Sequence, residues 1–580
     1  MNVNLTLCSL FSRFQNVPST PSRIAPAMNL RPTFSFVIRS LLCSAFFTTY
    51  AWCADIPVPA PVTQLGDSVN GAVDADILLT GGHLYLGDLA EPMIGDLAMK
   101  DDKIVAVGQF TPGEVKLRID CSGLSISPGF IDLHNHSDRG VLDPSTRAVV
   151  NYLTQGCTTI VTGNCGSGPI DVGSYYKQLD ELGVGVNVAH LLPQGALREE
   201  VIGSENRAAT DAELSRMQAL AEQAMTDGAW GMSSGLIYVP SSFASTDELI
   251  ALAKIIHHSR GVYASHIRGE GTNLLESVSE ALRIGRESGA AVHVSHFKSS
   301  GKDSWGLVRS AAEMIQQARE QGQRVTADQY PYTASSTSLS ATVIPAWARA
   351  GTRDAMLARL QGDSDESIRL RDDIAHKLDV LDGGHRIQIS QFKPRSGWAG
   401  LRLDEIARQE QMTPFELLLF IENNGGASIV NHSINEDDVR YVMTLGWVAT
   451  ASDGGARVPS DEVPHPRSYG TFPRKIGHYA IREQVISTAL AVRSSSGLPA
   501  DILGMTDRGY LRTGYAADVV VWQAQDLIDT ATFIQPHQYS AGMKYVFVNG
   551  QPAIFNGHVT GALHGKPLRH VASSVETNRH

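Results

Sequence analysis

Cysteine is scarce in this chain of 580 residues, which contains only six. Cys8 and Cys43 lie in the N-terminal segment together with Cys53, so Cys121, Cys157 and Cys165 remain for the rest of the chain. Three cysteines cannot form a disulfide framework, and at least one of them needs another role. The scarcity excludes the class of small disulfide-stabilised secreted scaffolds.

An excess of positive charge is also missing, because the formal net charge is -12 at pH 7. This balance argues against a nucleic-acid partner or an anionic membrane surface. The sequence has no internal repeat and no low-complexity tract, and it carries no signal of oligomeric state. Its 43% hydrophobic and 19% charged residues are typical of a globular protein, and its length allows more than one domain.

The N-terminal apolar run, residues 41–52, is too short to span a bilayer but long enough for a signal peptide. Arg31 and Arg39 precede it, as basic residues do in such leaders. We therefore predict a signal peptide over residues 1–53, with Met28 as an alternative start. The protein is expected to be exported, periplasmic or secreted, without stable membrane insertion after the signal is removed. An uncleaved signal anchor is the alternative.

Short apolar segments, interrupted by Gly, Asp and Pro, predict β-strands near both ends of the remaining chain. They fall in residues 76–127 and 505–568, after a proline-containing segment, residues 54–75, that predicts a loose N-terminus. We predict that the two sets of strands pair into one small β-sandwich domain, with the middle of the chain inserted between them. Short strands alone rarely justify this pairing, and the family resemblance given below supports it.

The middle of the chain alternates between near-continuous apolar strands and amphipathic helices. The helix predicted at Asp211–Thr226, for example, precedes the strand predicted at Ala229–Ser234. This alternation predicts a parallel sheet covered by helices. Eight strands of this kind predict an α/β fold, a (β/α)8 TIM-like barrel over residues 128–504. Residues 337–409 break the alternation and predict an inserted subdomain, and Ser428–His432 is a ninth strand candidate that could replace one of the eight or be an extra.

Polar side chains with metal affinity follow several of the predicted strands. The apolar stretch Gly129–His136 ends in His134 and His136, which would share one face of a strand. An exposed pair or a chance repeat is the alternative for these two alone. Other candidates stand at the carboxyl ends of strands, where barrel active sites lie: Cys165, His266, His296 and Asp453. A thiolate combined with imidazoles favours zinc over harder ions.

The other cysteines and histidines near these strands have weaker claims. Cys121 and Cys157 lack the glycine-rich setting of Cys165. His190 lies inside an apolar strand and His293 alternates away from His296, so a structural role is predicted for all four. His432 ends the ninth strand candidate and could support a ligand from behind.

Further stretches carry a family resemblance: QGCTTIVTGNCG (155–166), SSGLIYVP (233–240), YASHIRGEG (263–271), HVSHFK (293–298), DQYPYTASST (328–337) and PHPRSYGTFPR (464–474). With them the chain resembles the amidohydrolase superfamily and, within it, the N-acyl-D-amino acid deacylase (D-aminoacylase) family. The GNCG cysteine and the PHPRSYGTFPR stretch are the more specific features. The similarity runs from about Asp76 to Leu568.

The resemblance implies a β-sandwich plus a barrel with a small insertion. It also implies a tight zinc held by Cys165, His266 and His296, beside a second, weaker or vacant metal position. The groups expected near that second position are His134, His136 and Asp453.

Substrate contacts are implied in the same way. The resemblance assigns the substrate carboxylate and acyl group to Lys298, Tyr238, Tyr330 and Ser336. Tyr332 competes with Tyr330 for one role, and packing is the alternative for either tyrosine. Arg268 could also pair with the carboxylate, or it could brace loops instead.

The predicted reaction is hydrolysis of the amide bond of a small-molecule N-acyl-D-amino acid, with the D preference resting on the resemblance. The proton of the attacking water must reach the leaving nitrogen, and Asp453 is the candidate acid and base, a role compatible with metal ligation. One alternative is a cyclic-amide hydrolase of the dihydroorotase or hydantoinase type. Those enzymes usually bridge two metals with a carboxylated lysine, and the corresponding strand end has none. A non-catalytic barrel that binds a partner is the third hypothesis.

Overall fold

The computed structural model describes residues 71–571. The predicted signal peptide, residues 1–53, lies outside this range, as does most of the predicted loose segment, residues 54–75. The last three residues of that segment already belong to the first strand, Val73–Leu84, so the boundary predicted at residue 76 is slightly late. Within residues 71–571 no helix is both long and apolar enough to cross a membrane.

A parallel barrel forms the centre of the fold, and its eight strands are the eight predicted from the apolar runs. Neighbouring strands pair in parallel around the ring, and the third strand is joined to the fourth through the short strand Leu192–Pro193 that follows it. A parallel bridge between Asn135 and Gly454 joins the eighth strand to the first. The barrel strands are Phe130–Asp132, Cys157–Thr162, Asn187–His190, Gly231–Gly235, Val262–His266, Ala291–Val294, Val325–Gln329 and Val448–Thr450. The predicted α/β barrel is therefore confirmed.

Amphipathic helices follow the strands and bury their apolar faces against the ring. The helix Asp211–Thr226 begins where predicted, because Thr210 and Glu213 form a reciprocal capping box. The helices outside the insertion are Val150–Leu153, Val172–Leu182, Gln194–Val201, Asp211–Thr226, Thr246–His258, Leu274–Ser288, Leu307–Glu320, Glu436–Met443, Arg467–Pro473 with its π-helical continuation Arg474–Arg482, Thr488–Ser495 and Gly497–Leu503, with short 3-10 turns at Asn164–Gly166, Ser241–Phe243 and Lys302–Ser304.

Both chain ends contribute to one nine-stranded sheet beside the barrel. The strand Val519–Trp522 pairs antiparallel with Ser125–Pro128, and this contact joins the two sets of strands that the sequence predicts to meet. One apolar cluster of this sheet contains side chains from both chain ends, including Leu79 and Phe547. The remaining strands are Val73–Leu84, Met93–Lys100, Lys103–Gly108, Pro112–Asp120, Met543–Val548, Gln551–Phe555 and His558–Val559.

The insertion has its own apolar core and is longer than predicted. The predicted end at residue 409 is wrong, because one further helix and one further strand complete that core. The strand Ser428–Asn431 pairs antiparallel with both Ser335–Ser338 and Ile387–Gln391, so the ninth strand candidate belongs to the insertion and not to the barrel. The other insertion elements are Leu339–Val343, Ala346–Arg349, Arg353–Gln361, Asp365–Val380, Asp382–Gly384, Lys393–Trp398, Leu403–Gln409 and Pro414–Asn423.

Candidate metal centre

Three predicted ligands converge at the carboxyl end of the barrel. Cys165 follows the second strand, His266 ends the fifth, and His296 follows the sixth. The sulfur of Cys165 lies 3.7 Å from His266 Nδ1 and 3.7 Å from His296 Nε2. All three side chains are buried. Each of these distances allows one metal ion to lie between the sulfur and the imidazole nitrogen.

A second group of donors adjoins the first. Asp453 Oδ1 lies 3.1 Å from His136 Nε2 and 3.5 Å from His134 Nε2. The backbone N–H of Asp453 donates to the carbonyl of His134, 2.8 Å away, at the point where the barrel closes. His134 Nε2 also lies 3.2 Å from Cys165 Sγ, so the two groups of donors are in contact.

Backbone conformation helps to direct these side chains. Cys165, His296 and Asp453 have φ angles of 51°, 38° and 51°, in a region that residues other than glycine rarely adopt. At Gly163, just before this bend, an added Cβ would lie 2.0 Å from the carbonyl oxygen of Leu191. A glycine is therefore required there for the chain to turn Cys165 toward the histidines.

The electrostatics of the centre favour a bound cation. Burial alone would raise the pKa of the Cys165 thiol, but His134 and the neighbouring histidines lower that pKa well below its ordinary value. Burial opposes a charge on His134 as well, yet Cys165, Asp453 and Asp328 raise its pKa well above the ordinary value. The anionic groups thus attract positive charge into a buried space. A thiolate with buried imidazoles fits zinc in its chemistry.

Glu270 also lies within this centre; it belongs to the YASHIRGEG stretch, so the resemblance marks its position without giving it a role. Its Oε1 atom is 2.8 Å from His296 Nδ1 and 2.5 Å from Lys298 Nζ. Burial opposes its charge, but Lys298 and the nearby histidines lower the pKa of the Glu270 carboxyl. The predicted substrate contact Lys298 is therefore ion-paired with a carboxylate of the protein.

Arg467 is the second functional residue that the sequence reasoning missed. Its guanidinium lies 2.7 Å from Asp453 Oδ2, and both side chains are buried. Burial would raise the pKa of Asp453, but Arg467 and His134 lower it well below its ordinary value. Arg467 lies inside the PHPRSYGTFPR stretch, so the resemblance marks its position without giving it a role.

The predicted tyrosine and serine contacts surround the centre. Tyr330 is buried beside Arg467, 4.8 Å from ring to guanidinium, and its hydroxyl has no hydrogen-bond partner among residues 71–571. The Tyr332 ring lies instead beside Arg474, and its hydroxyl likewise has no hydrogen-bond partner in that range. Tyr238 shares a hydrogen bond with Thr337, and its ring lies 5.2 Å from that of His266.

Two candidates already have other partners. The hydroxyl of Ser336 donates to the carbonyl of Ile429, while its own carbonyl accepts from Arg467. Arg268 pairs with Glu280 at 2.9 Å and donates to the carbonyls of Ser242 and Ala244. Four of the five N–H groups of Arg268 are thus used within the protein, which agrees with the loop-bracing alternative.

The remaining histidines lie behind the centre or away from it. His293 Nε2 is 2.8 Å from Asp328, which also accepts the backbone N–H of His296, so His293 supports the floor of the site. His190 is buried against Thr162. His432 contacts Gln388 in the insertion, and its predicted support of a ligand is wrong.

A parallel barrel with strand-end imidazole, thiolate and carboxylate groups defines the class of barrel hydrolases with a metal centre. A model of the amidohydrolase family matches residues 118–554. The protein belongs to the amidohydrolase family.

Named relatives of high coverage agree with this membership. A D-aminoacylase of Alcaligenes xylosoxydans xylosoxydans is 34% identical, over 86% of this chain and 98% of its own length. An N-acyl-D-aspartate deacylase of the same organism is 32% identical, over 85% and 94%. One similar solved structure is that of an N-acyl-D-glutamate deacylase of Bordetella bronchiseptica, complexed with zinc and a phosphonate inhibitor. Its TM-score is 0.74 at 29% identity, and the match covers 86% of this chain and all of that chain.

Proposed function

We propose that this protein hydrolyses the amide bond of N-acyl-D-amino acids in a zinc-dependent reaction, releasing a carboxylate and a D-amino acid. The observation that carries the proposal is the convergence of Cys165, His266 and His296, with Asp453 beside them. Relatives named as D-aminoacylase and N-acyl-D-aspartate deacylase, matched over most of their length, support the substrate class.

Zinc bound by Cys165, His266 and His296 would lower the pKa of water toward about 7 and polarise the amide carbonyl. His134 and His136 would line the space beside it, where a second, weaker ion could bind. This chain's own groups supply the remaining steps, namely proton transfer and substrate orientation.

Asp453 is the proposed carrier of the proton. Its Oδ2 pairs with Arg467, which leaves Oδ1 directed toward His134 and His136, the two histidines after the first strand. The lowered pKa of Asp453 keeps its carboxylate ionised at neutral pH, so an unprotonated oxygen faces the space where the attacking water would lie. Once protonated, a group of low pKa is a strong acid and gives its proton readily to the leaving nitrogen.

Lys298 and the unpartnered hydroxyl of Tyr330 are the proposed contacts of the substrate carboxylate and acyl group, with Tyr238 and Ser336 at the edge. Lys298 retains donor capacity because an ammonium has three N–H groups. The cyclic-amide alternative is less favoured, because none of the eight barrel strands contains a lysine. The non-catalytic alternative is less favoured because every predicted ligand lies in one of three adjoining groups of donors, and all of them except His136 are buried.

The test is metal analysis of the purified protein together with hydrolysis assays on N-acetyl-D-leucine, N-acetyl-D-glutamate and their L counterparts. We expect zinc near one equivalent, turnover of at least one D form, loss of activity on chelation and recovery with added zinc. Hydrolysis of the L forms alone would overturn the D assignment. Turnover of a hydantoin or dihydroorotate without turnover of the linear amides would favour the cyclic-amide alternative.

We also propose that the protein is exported, on the basis of the leader pattern in residues 1–53. N-terminal sequencing of the protein from the periplasm or medium of an expressing cell should begin near Ala54. A protein that stays in the cytoplasm with an intact leader would contradict export.

A further inference from the structure

Glu270 contacts both a candidate metal ligand and a candidate substrate contact. It lies four residues after His266, in the loop that follows the fifth barrel strand, and its side chain is 14% exposed. One oxygen, Oε1, is shared between His296 Nδ1 at 2.8 Å and Lys298 Nζ at 2.5 Å. The other oxygen, Oε2, lies 4.0 Å from His266 Nε2.

The contact with His296 bears on metal binding. Its Nδ1 faces Glu270, while its Nε2 faces Cys165 Sγ at 3.7 Å. An imidazole that coordinates through Nε2 needs its lone pair there and carries its proton on Nδ1. A carboxylate that accepts this proton in a hydrogen bond fixes the tautomer and the ring orientation. Glu270 is in position to be that acceptor.

The contact with Lys298 bears on substrate binding. Lys298 Nζ lies 3.0 Å from His296 Nδ1, but an ammonium can only donate, so this approach is not a hydrogen bond when Nδ1 carries a proton. Its acceptors are Glu270 and the backbone carbonyl of His296, 3.0 Å away. Two of its three N–H groups are thereby used, and one remains for the substrate.

We propose that Glu270 is a positioning residue that couples the two halves of the site. It holds His296 in the tautomer that presents Nε2 to the metal, and it holds Lys298 with one N–H free for the substrate carboxylate. Glu270 acts through these two groups and does not itself touch the reacting atoms. This inference rests on the proposed function.

Glu280 provides a matched control. It is also an ion-paired carboxylate on the same stretch of chain, its side chain is 15% exposed, and its partner Arg268 lies 2.9 Å away. Its hydrogen-bond partners among the described residues, Arg268 and Thr246, include none of the candidate ligands. Removal of its charge therefore breaks an ion pair of similar exposure without changing any contact of the metal centre.

The experiment compares the parent protein with Glu270→Gln, Glu270→Ala and Glu280→Gln. Zinc affinity is measured by competition with a chelator, and KM and kcat are measured on an N-acetyl-D-amino acid. We expect zinc affinity to fall about 10–100-fold in both Glu270 variants. We expect KM to rise by about tenfold or more, because an ammonium contact to a carboxylate is weakened. Glu280→Gln should match the parent in both.

A conservative replacement of Glu270 distinguishes the positioning of His296 and Lys298 from general support of the fold. Glu270→Asp keeps the charge on a shorter side chain and should recover part of the zinc affinity that Glu270→Ala loses. Zinc affinity of Glu270→Gln within twofold of the parent would overturn the inference. So would an equal loss in Glu280→Gln, because the effect would then be general.

The zinc measurement does not require turnover. A parent protein that binds zinc but cleaves no N-acyl-D-amino acid would overturn the proposed function, and the zinc affinities would still decide the role of Glu270 toward His296. A parent protein that binds no zinc would overturn both.

Discussion

Replacement of Asp453 with asparagine preserves the size of the side chain and removes its capacity to accept a proton. The side-chain contacts of Asp453 are with His134, His136 and Arg467 and not with Cys165, His266 or His296, so Asp453→Asn should retain zinc. The substitution also removes the ion pair between Asp453 and Arg467, whose atoms lie 2.7 Å apart. Turnover and stability are therefore both affected, and the two effects have to be measured separately.

General acid–base catalysis by a positioned side chain contributes about 10²- to 10⁴-fold to a rate. Its loss corresponds to about 2.7–5.5 kcal/mol in the activation free energy. The buried Arg467 charge left without its partner should also lower the free energy of unfolding by about 3–5 kcal/mol. The double variant Asp453→Asn/Arg467→Gln removes that unpaired charge, so it should recover stability without recovering turnover.

The assay combines zinc content, thermal melting and kcat measured well below the melting temperature. We expect parent-like zinc, a lower melting temperature in Asp453→Asn that the double variant largely restores, and a kcat at least about 100-fold below the parent in both. A zinc-loaded Asp453→Asn protein with a kcat within about threefold of the parent would refute the proton-transfer role. Loss of zinc from this variant would instead make Asp453 a required ligand.

Three further variants test single features of the structure. Tyr330→Phe removes a hydroxyl with no hydrogen-bond partner in residues 71–571. We expect a melting temperature at least equal to that of the parent and a kcat/KM about 10–100-fold lower. A loss of stability alongside the loss of activity would reveal a structural role. Arg268→Gln should lower the free energy of unfolding in urea by about 1–3 kcal/mol and leave KM unchanged, because the side chain contacts Glu280 and loop carbonyls. A higher KM at unchanged stability would instead support its predicted contact with the substrate. Burial lowers the pKa of Lys475 from 10.5 in the unfolded chain to about 7, so the amine opposes folding most strongly below pH 7, and this cost fades as the pH rises toward 10.5. Lys475→Met should therefore gain about 2–4 kcal/mol in urea unfolding at pH 6.5 and little near pH 10, and an equal gain at both pH values would contradict the assigned cause.

The barrel is predictable from the sequence because its signals are local. Each strand is a short apolar run, and helices such as Asp211–Thr226 begin at side chains that cap their own first turn. The end of the insertion is not predictable in this way. Its strand Ser428–Asn431 is defined by pairing with Ser335–Ser338, about 90 residues earlier, and such pairing leaves no mark in the local pattern.

The same distinction between local signals and long-range contacts applies to the candidate site. Cys165, His266 and His296 can be predicted because strand ends of a barrel meet at one face. Glu270 and Arg467 cannot, since each reaches the centre from a loop or helix whose path depends on the folded chain. Arg268 is the opposite case. Its charge and its position near a strand end predict a substrate contact, but in the folded chain its guanidinium pairs with Glu280.

The insertion begins and ends at one place. Ser335 and Asn431 are cross-strand partners, so their Cα atoms lie about 5 Å apart. A segment whose two ends meet in this way behaves as a cassette, and it can be lengthened, shortened or exchanged between relatives without moving the barrel strands on either side. Ser336 and Thr337 belong to this segment, whereas every proposed zinc ligand lies outside it. An exchange of the insertion can therefore alter substrate selection and leave the zinc ligands unchanged.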